Sequence, residues 1–263
     1  MLIRFSVGVV RKIITATVRH VLGTITQVET QDPVAALTFD DGPHPDYTPQ
    51  LLDILGRHQA RATFFMVGEA ARQYPRIVRQ VAEAGHAIGN HTWDHPSLPL
   101  LPGRERRAQM RACANAIAPY GQRLFRPPYG HQSLKSRLDA LWLRHQVITW
   151  SVFAYDWLDR EADWMAEHLV NQVQPGSIII LHDAITRSLQ TVPQYNRQQM
   201  LSAVDMFLER IGERLRFITI PELLQHGRPR RENWYMRADS ETMERLQNHP
   251  AITRACAASK NDV

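Results

Sequence analysis

Cysteine is scarce: the chain of 263 residues carries two, Cys113 and Cys256. Neither belongs to a CxxC pair, so a cysteine-built structural metal cluster is excluded and two free thiols are the default expectation. Long apolar runs are also missing. The N-terminal stretch is rich in Ile, Val and Leu, but Arg4, Arg11, Lys12 and Arg19 interrupt it, which leaves it far short of the ~20 apolar residues that span a bilayer. No uninterrupted apolar run leads to a small-residue cleavage site, so a secretory signal is not expected. Blocks of basic residues are lacking too. The excess of 31 Lys and Arg over 26 Asp and Glu is modest and spread out, which argues against a nucleic-acid partner and stays compatible with an anionic glycan or membrane surface. No internal repeat or low-complexity linker divides the chain, so a single domain is the simplest reading.

What is present is alternation. From Val34 onward, short apolar β-branched or aromatic runs alternate with helical stretches: Val34–Phe39, Ala62–Val67, His86–Asn90, Leu124–Arg126, Gln146–Val152, Gly176–Leu181 and Leu215–Thr219. Helical patterns follow over 47–58, 69–84 (with a break at Pro75), 103–118, 133–145, 161–173, 195–212 and 221–225. Parallel strands need crossover connections, so this order points to an α/β fold with a parallel sheet, open or closed into a barrel. Before it, Ile3, Val7, Val10, Ile14, Val18 and Val21 share one side of a helical wheel and the four basic residues the other. That is a basic amphipathic helix, which either lies on a membrane interface or packs against the body. The chain thus divides into an amphipathic segment, 1–31, a catalytic body, 32–226, and a polar C-terminal extension, 227–263.

In parallel α/β folds functional groups collect at the carboxyl ends of strands, and the unusual polar residues fall there. Asp40 and Asp41 follow the first run. Adjacent carboxylates at a strand end point differently, so one can bind a metal while the other takes a proton, although Asp-Gly-Pro is also ordinary turn chemistry. His91 and His95 follow the third run; four apart, they converge on one ion if the segment makes a helical turn. Arg126 after the fourth can hold a carboxylate, and His182 after the sixth is placed as a general acid that a carboxylate could orient. Asp156-Trp157 follows the fifth. One carboxylate and two imidazoles leave ligand positions open for water and substrate, as catalytic metal sites do.

Taken together, TFDDG, HTWDHP, RPPYG, the Asp-Trp at 156–157 and LHD resemble the five motifs of the polysaccharide deacetylase family, the NodB homology domain, over about Val34 to Gln225. The resemblance implies a distorted (β/α)₇ barrel and a hydrolase that removes N-acetyl groups from amino sugars of a glycan. It implies a divalent metal, zinc in the usual case, on Asp41, His91 and His95, with Asp40 as base, Arg126 as its tether, and His182 as acid partnered by Asp156. Tyr129 is implied as a backbone donor to the oxyanion, and Trp157 and Leu181 as the groove for the acetyl methyl. Phe153 departs from the pattern, standing where many members have a further Asp. A same-fold amidase acting on a non-sugar amide and an inactive glycan-binding module are the alternatives. A cytoplasmic location, or one peripheral to the inner membrane face, is the expectation for where the chain works.

Overall fold

The computed structural model describes residues 21–158, 160–185 and 196–233. The expected amphipathic helix therefore lies outside the described residues except for its last two positions, and so does most of the C-terminal extension. Ten strands and eight α-helices are described within these limits. Strand β1 is Thr24–Glu29 and β2 Val34–Asp40, followed by helix α1, Tyr47–Arg57. Next come β3, Ala62–Met66, and helices α2, Gly68–Gln73, and α3, Pro75–Glu83. Pro75 opens α3, where its missing N–H costs nothing, so the expected break is a restart. Strand β4 is Ala87–Asn90, α4 Gly103–Ala116, β5 Gly121–Phe125 and α5 Leu134–Trp142. The remainder is β6, Gln146–Val147, β7, Val152–Phe153, α6, Ala162–Gln172, β8, Ile178–His182, α7, Gln198–Ile211, β9, Arg216–Phe217, α8, Ile220–Leu223, and β10, Arg228–Glu232.

The main sheet runs β6-β5-β4-β3-β2-β8-β7, every pair parallel, and β9 joins the start of β2. The run Gln146–Val152, expected as one strand, is two. Its first half pairs on one sheet edge with β5 and its second half on the other edge with β8. One short segment thereby reaches from edge to edge and curls the sheet into a distorted barrel. The remaining gap is occupied by β1: Ile25 bridges Ile148, and the Thr149 N–H donates to the Ile25 carbonyl at 2.8 Å. β1 in turn pairs antiparallel with β10. Both fall in stretches that the sequence reading set apart from the body.

Alternation along the strands builds two cores. Leu37, Phe39, Ile179 and Leu181 face outward and pack beneath the helices with Leu51, Phe64, Met200 and Phe207. Val34, Ala36, Ile178 and Ile180 face inward with Phe65, Trp150 and Ile25. Buried aliphatic side chains of this size contribute roughly 1.5–3 kcal/mol each. The inward positions that follow, Thr38, Asp40 and His182, are polar, so the barrel interior turns from apolar to charged toward the carboxyl end of β2 and β8.

Candidate active site

Asp40 ends β2 facing inward, 2% exposed. Arg126, fully buried after β5, donates through Nη1 to Asp40 Oδ1 and to Thr38 Oγ1, both at 2.7 Å. Its Nη2 donates to the Thr149 carbonyl at 2.9 Å, and its guanidinium lies 4.1 Å from the Phe65 ring centroid. A buried guanidinium is costly unless paired and satisfied; here Asp40 is the counter-charge, and the clamp fixes the orientation of that carboxylate.

Asp41 turns the other way because its backbone is left-handed, φ 75°, a conformation that Asp tolerates better than most residues. Its Oδ1 stands 3.4 Å from His91 Nε2 and 3.2 Å from His95 Nε2. The three candidate ligand atoms lie within 4.8 Å of one another, and all three residues are buried. Two donors each about 2.0–2.1 Å from one tetrahedral ion stand roughly 3.3 Å apart, so the spacing of these atoms fits a shared divalent cation. The tautomer fits as well. His91 Nδ1 is 2.8 Å from the Arg126 carbonyl, which only accepts, so Nδ1 carries the proton and the Nε2 lone pair faces Asp41. Burial alone would raise the Asp41 pKa, but the surrounding histidines, His95 foremost, hold it far below the usual carboxylate range.

The histidine pair converges by a different route from the expected helical turn. Residues 91–95 form a loop in which Thr92 (φ 68°) and His95 (φ 62°) are left-handed. Two such residues reverse the chain and aim both rings inward. The Tyr129 ring then meets His95 edge-on at 4.5 Å, which brings the left-handed Tyr129 backbone (φ 58°) to the rim of the site.

His182, the last residue of β8, is in register with Asp40 on β2. Asp156 grips it twice: Oδ2 accepts the His182 backbone N–H at 2.8 Å, and Oδ1 lies 3.1 Å from Nδ1. Burial disfavours the imidazolium, yet the Asp156 carboxylate, helped by Asp41 and Asp40, overrides it and raises the His182 pKa to about 9. Arg197 carried no signal in the sequence. Almost wholly buried, it donates through Nη2 to the Asp156 carboxylate at 2.5 Å and to the Asp156 carbonyl at 2.8 Å, and through Nε to the His182 carbonyl at 3.2 Å. Phe153 packs against Trp150, Tyr155 and Trp157, and orientation of the imidazole falls to Asp156 and Arg197. Trp157 is 41% exposed, its ring 5.6 Å from that of His182.

Leu181 requires a correction. Expected in the groove, it is fully buried and packs outward beneath the helices. Side chains alternate along a strand, so the residue sharing the inward face with His182 is Ile180, which packs with Trp150 and Phe65. Asp183, not singled out from the sequence, is also fully buried. It accepts from Thr48 Oγ1 at 2.5 Å, and burial pushes its pKa up to about 7. A Cβ on Gly42 would fall 2.3 Å from its carboxylate, so the Asp41-Gly42 turn is built directly against it.

A curled parallel barrel with a carboxylate and two imidazoles at its strand ends, beside the Asp40–Arg126 and His182–Asp156 pairs, defines the class: a (β/α)₇ barrel with a candidate catalytic metal site. The family profile for polysaccharide deacetylase matches residues 27–148. A peptidoglycan-N-acetylglucosamine deacetylase of Bacillus cereus is 36% identical over 203 residues, 74% of this chain and 70% of that protein. A chitooligosaccharide deacetylase of Azorhizobium caulinodans is 40% identical over 169 residues, 62% of this chain and 80% of that protein. The crystal structure of a peptidoglycan N-acetylglucosamine deacetylase in complex with 4-naphthalen-1-yl-N-oxidanyl-benzamide superposes with a TM-score of 0.72 at 30% identity, covering 82% of this chain and 99% of that one. The chain belongs to the polysaccharide deacetylase family.

Proposed function

We propose that the protein is a metal-dependent hydrolase that removes N-acetyl groups from amino-sugar residues of a glycan, the substrate class that the names of its relatives share. One observation carries the reading: the Asp41, His91 and His95 donor set faces two separately clamped groups, Asp40 with Arg126 and His182 with Asp156. Asp41, His91 and His95 would hold the ion, with zinc the best match to two imidazoles and one carboxylate. When bound, such an ion supplies Lewis acidity, lowering the pKa of water and polarising the amide carbonyl.

The chain's own groups do the rest. Asp40, aimed by Arg126, takes the proton from the attacking water. The backbone N–H of Tyr129 donates to the carbonyl oxygen as it gains charge. His182, kept cationic by Asp156, protonates the nitrogen as the C–N bond breaks, so a free amine and acetate leave. Trp157 flanks the acetyl methyl. Acetate release from defined N-acetyl chito-oligosaccharides and peptidoglycan fragments, with and without a chelator and beside cyclic amides, tests the assignment. Chelator-sensitive release from the glycans supports it. Turnover of the cyclic amides alone, or glycan binding with no acetate released, overturns it.

A further inference from the structure

Helix α5 is inside out. Its inward side carries Ser136, Arg137 and Asp139, buried, with Asp139 accepting from Arg106 at 2.6 Å and from Arg107 at 2.8 Å. Its outward side exposes Leu134 (49%), Leu138 (47%), Leu141 (44%) and Trp142 (63%). The spacing of four, three and one places these side chains on one face of the helix. A contiguous apolar face of this kind marks a contact surface, whereas single exposed leucines do not.

The charges around the face say what it contacts. The guanidiniums of Arg107 and Arg111 lie 5.6 and 4.9 Å from the Trp142 ring centroid, and exposed Lys135 and Arg144 flank the apolar residues. The one acid of the helix, Asp139, points inward. Leucines and a tryptophan ringed by Arg and Lys suit the interface of an anionic bilayer, where tails take the apolar side chains, the headgroup layer takes the indole and acidic headgroups take the cations. Thr24 Oγ1 donates to Gln132 Oε1 at 3.0 Å, two residues before α5, so the start of β1 meets the chain just ahead of this helix. Among the described residues no helix is long and apolar enough to cross a membrane.

We propose that the outer face of α5, with Arg111, Lys135 and Arg144, is a docking surface for an anionic lipid bilayer. Tyr129 lies on the loop leading into α5.

The test is sedimentation of the full chain with vesicles of phosphatidylcholine alone and with about one-third phosphatidylglycerol. Wild type is expected to pellet with the anionic vesicles only. The double variant L138E/W142E is expected to lose this binding by at least about tenfold, with unchanged circular dichroism and unchanged acetate release from a soluble oligosaccharide. R111Q is expected to weaken binding by about fivefold and flatten its salt dependence. Undiminished binding of L138E/W142E overturns the proposal and leaves any membrane contact to residues 1–22. Failure of wild type to pellet overturns it as well. So does a shift of L138E/W142E from dimer to monomer, or a gain in protease sensitivity within residues 1–22 or 234–263, because either result shows that protein covers the face. Vesicle binding needs no turnover, so its outcome is separate from that of the acetate assay.

Discussion

At the scale of single residues, the account rests on two carboxylate–cation clamps that assign opposite tasks. Asp40→Asn keeps the shape and the Arg126 hydrogen bond but removes the basic oxygen. It is expected to retain the ion while losing about 10²–10⁴-fold in turnover, the usual contribution of a general base; elemental analysis and acetate release read the two separately, and normal turnover would end the base assignment. His182 provides the pH test. Its pKa of about 9 lies above the ordinary 6.5, so the acid form persists through neutrality and activity is expected to fall as pH rises through about 9. Asp156→Asn removes the charge that sustains the shift, so this limb should move down toward 6.5. A pH–rate profile unchanged by that substitution would contradict the pairing. The same shift bears on stability: the raised pKa adds stability that is full below 6.5 and lost as pH climbs through 9.

The residues legible in the sequence were those at strand ends. Asp40, Asp41, Arg126 and His182 follow apolar runs, and a strand end in a parallel fold is a site by geometry. Ile180 was equally within reach, since two-residue alternation places it, and not Leu181, on the same face as His182. Arg197 was not legible. It stands at the start of α7 after a long connection, and nothing local ties a helix-start arginine to a carboxylate 41 positions earlier.

At the scale of elements, periodicity located the parallel strands and their helices, because each strand buries one or both faces. It failed for β1 and β10. Strand β10 reads Arg-Pro-Arg-Arg-Glu and lies at an edge, where backbone pairing suffices and no apolar pattern is required. It also could not show that the run 146–152 splits between two sheet edges, since both halves are apolar. Gly176 tests how β1 is seated. Its φ is 79°, its carbonyl accepts the Val28 N–H at 3.0 Å, and an added Cβ would fall 1.8 Å from the Val28 carbonyl oxygen. Gly176→Ala is therefore expected to cost about 1–3 kcal/mol through left-handed strain and displacement of β1. Urea unfolding reads this, and a cost under about 0.5 kcal/mol would show that β1 yields freely.

At the scale of the molecule, the barrel brings to one end residues that are distant in sequence, and the central claim is that an ion joins three of them. An ion bound to the folded state alone raises stability by mass action, so a chelator is expected to lower the melting temperature of wild type and to leave His91→Ala unmoved. The most direct measurement is elemental analysis of the purified full chain beside its acetate release, for wild type and for His91→Ala. The account expects about one divalent ion per wild-type chain and a loss of both ion and activity in the variant. Full acetate release by chain stripped of metal would contradict it.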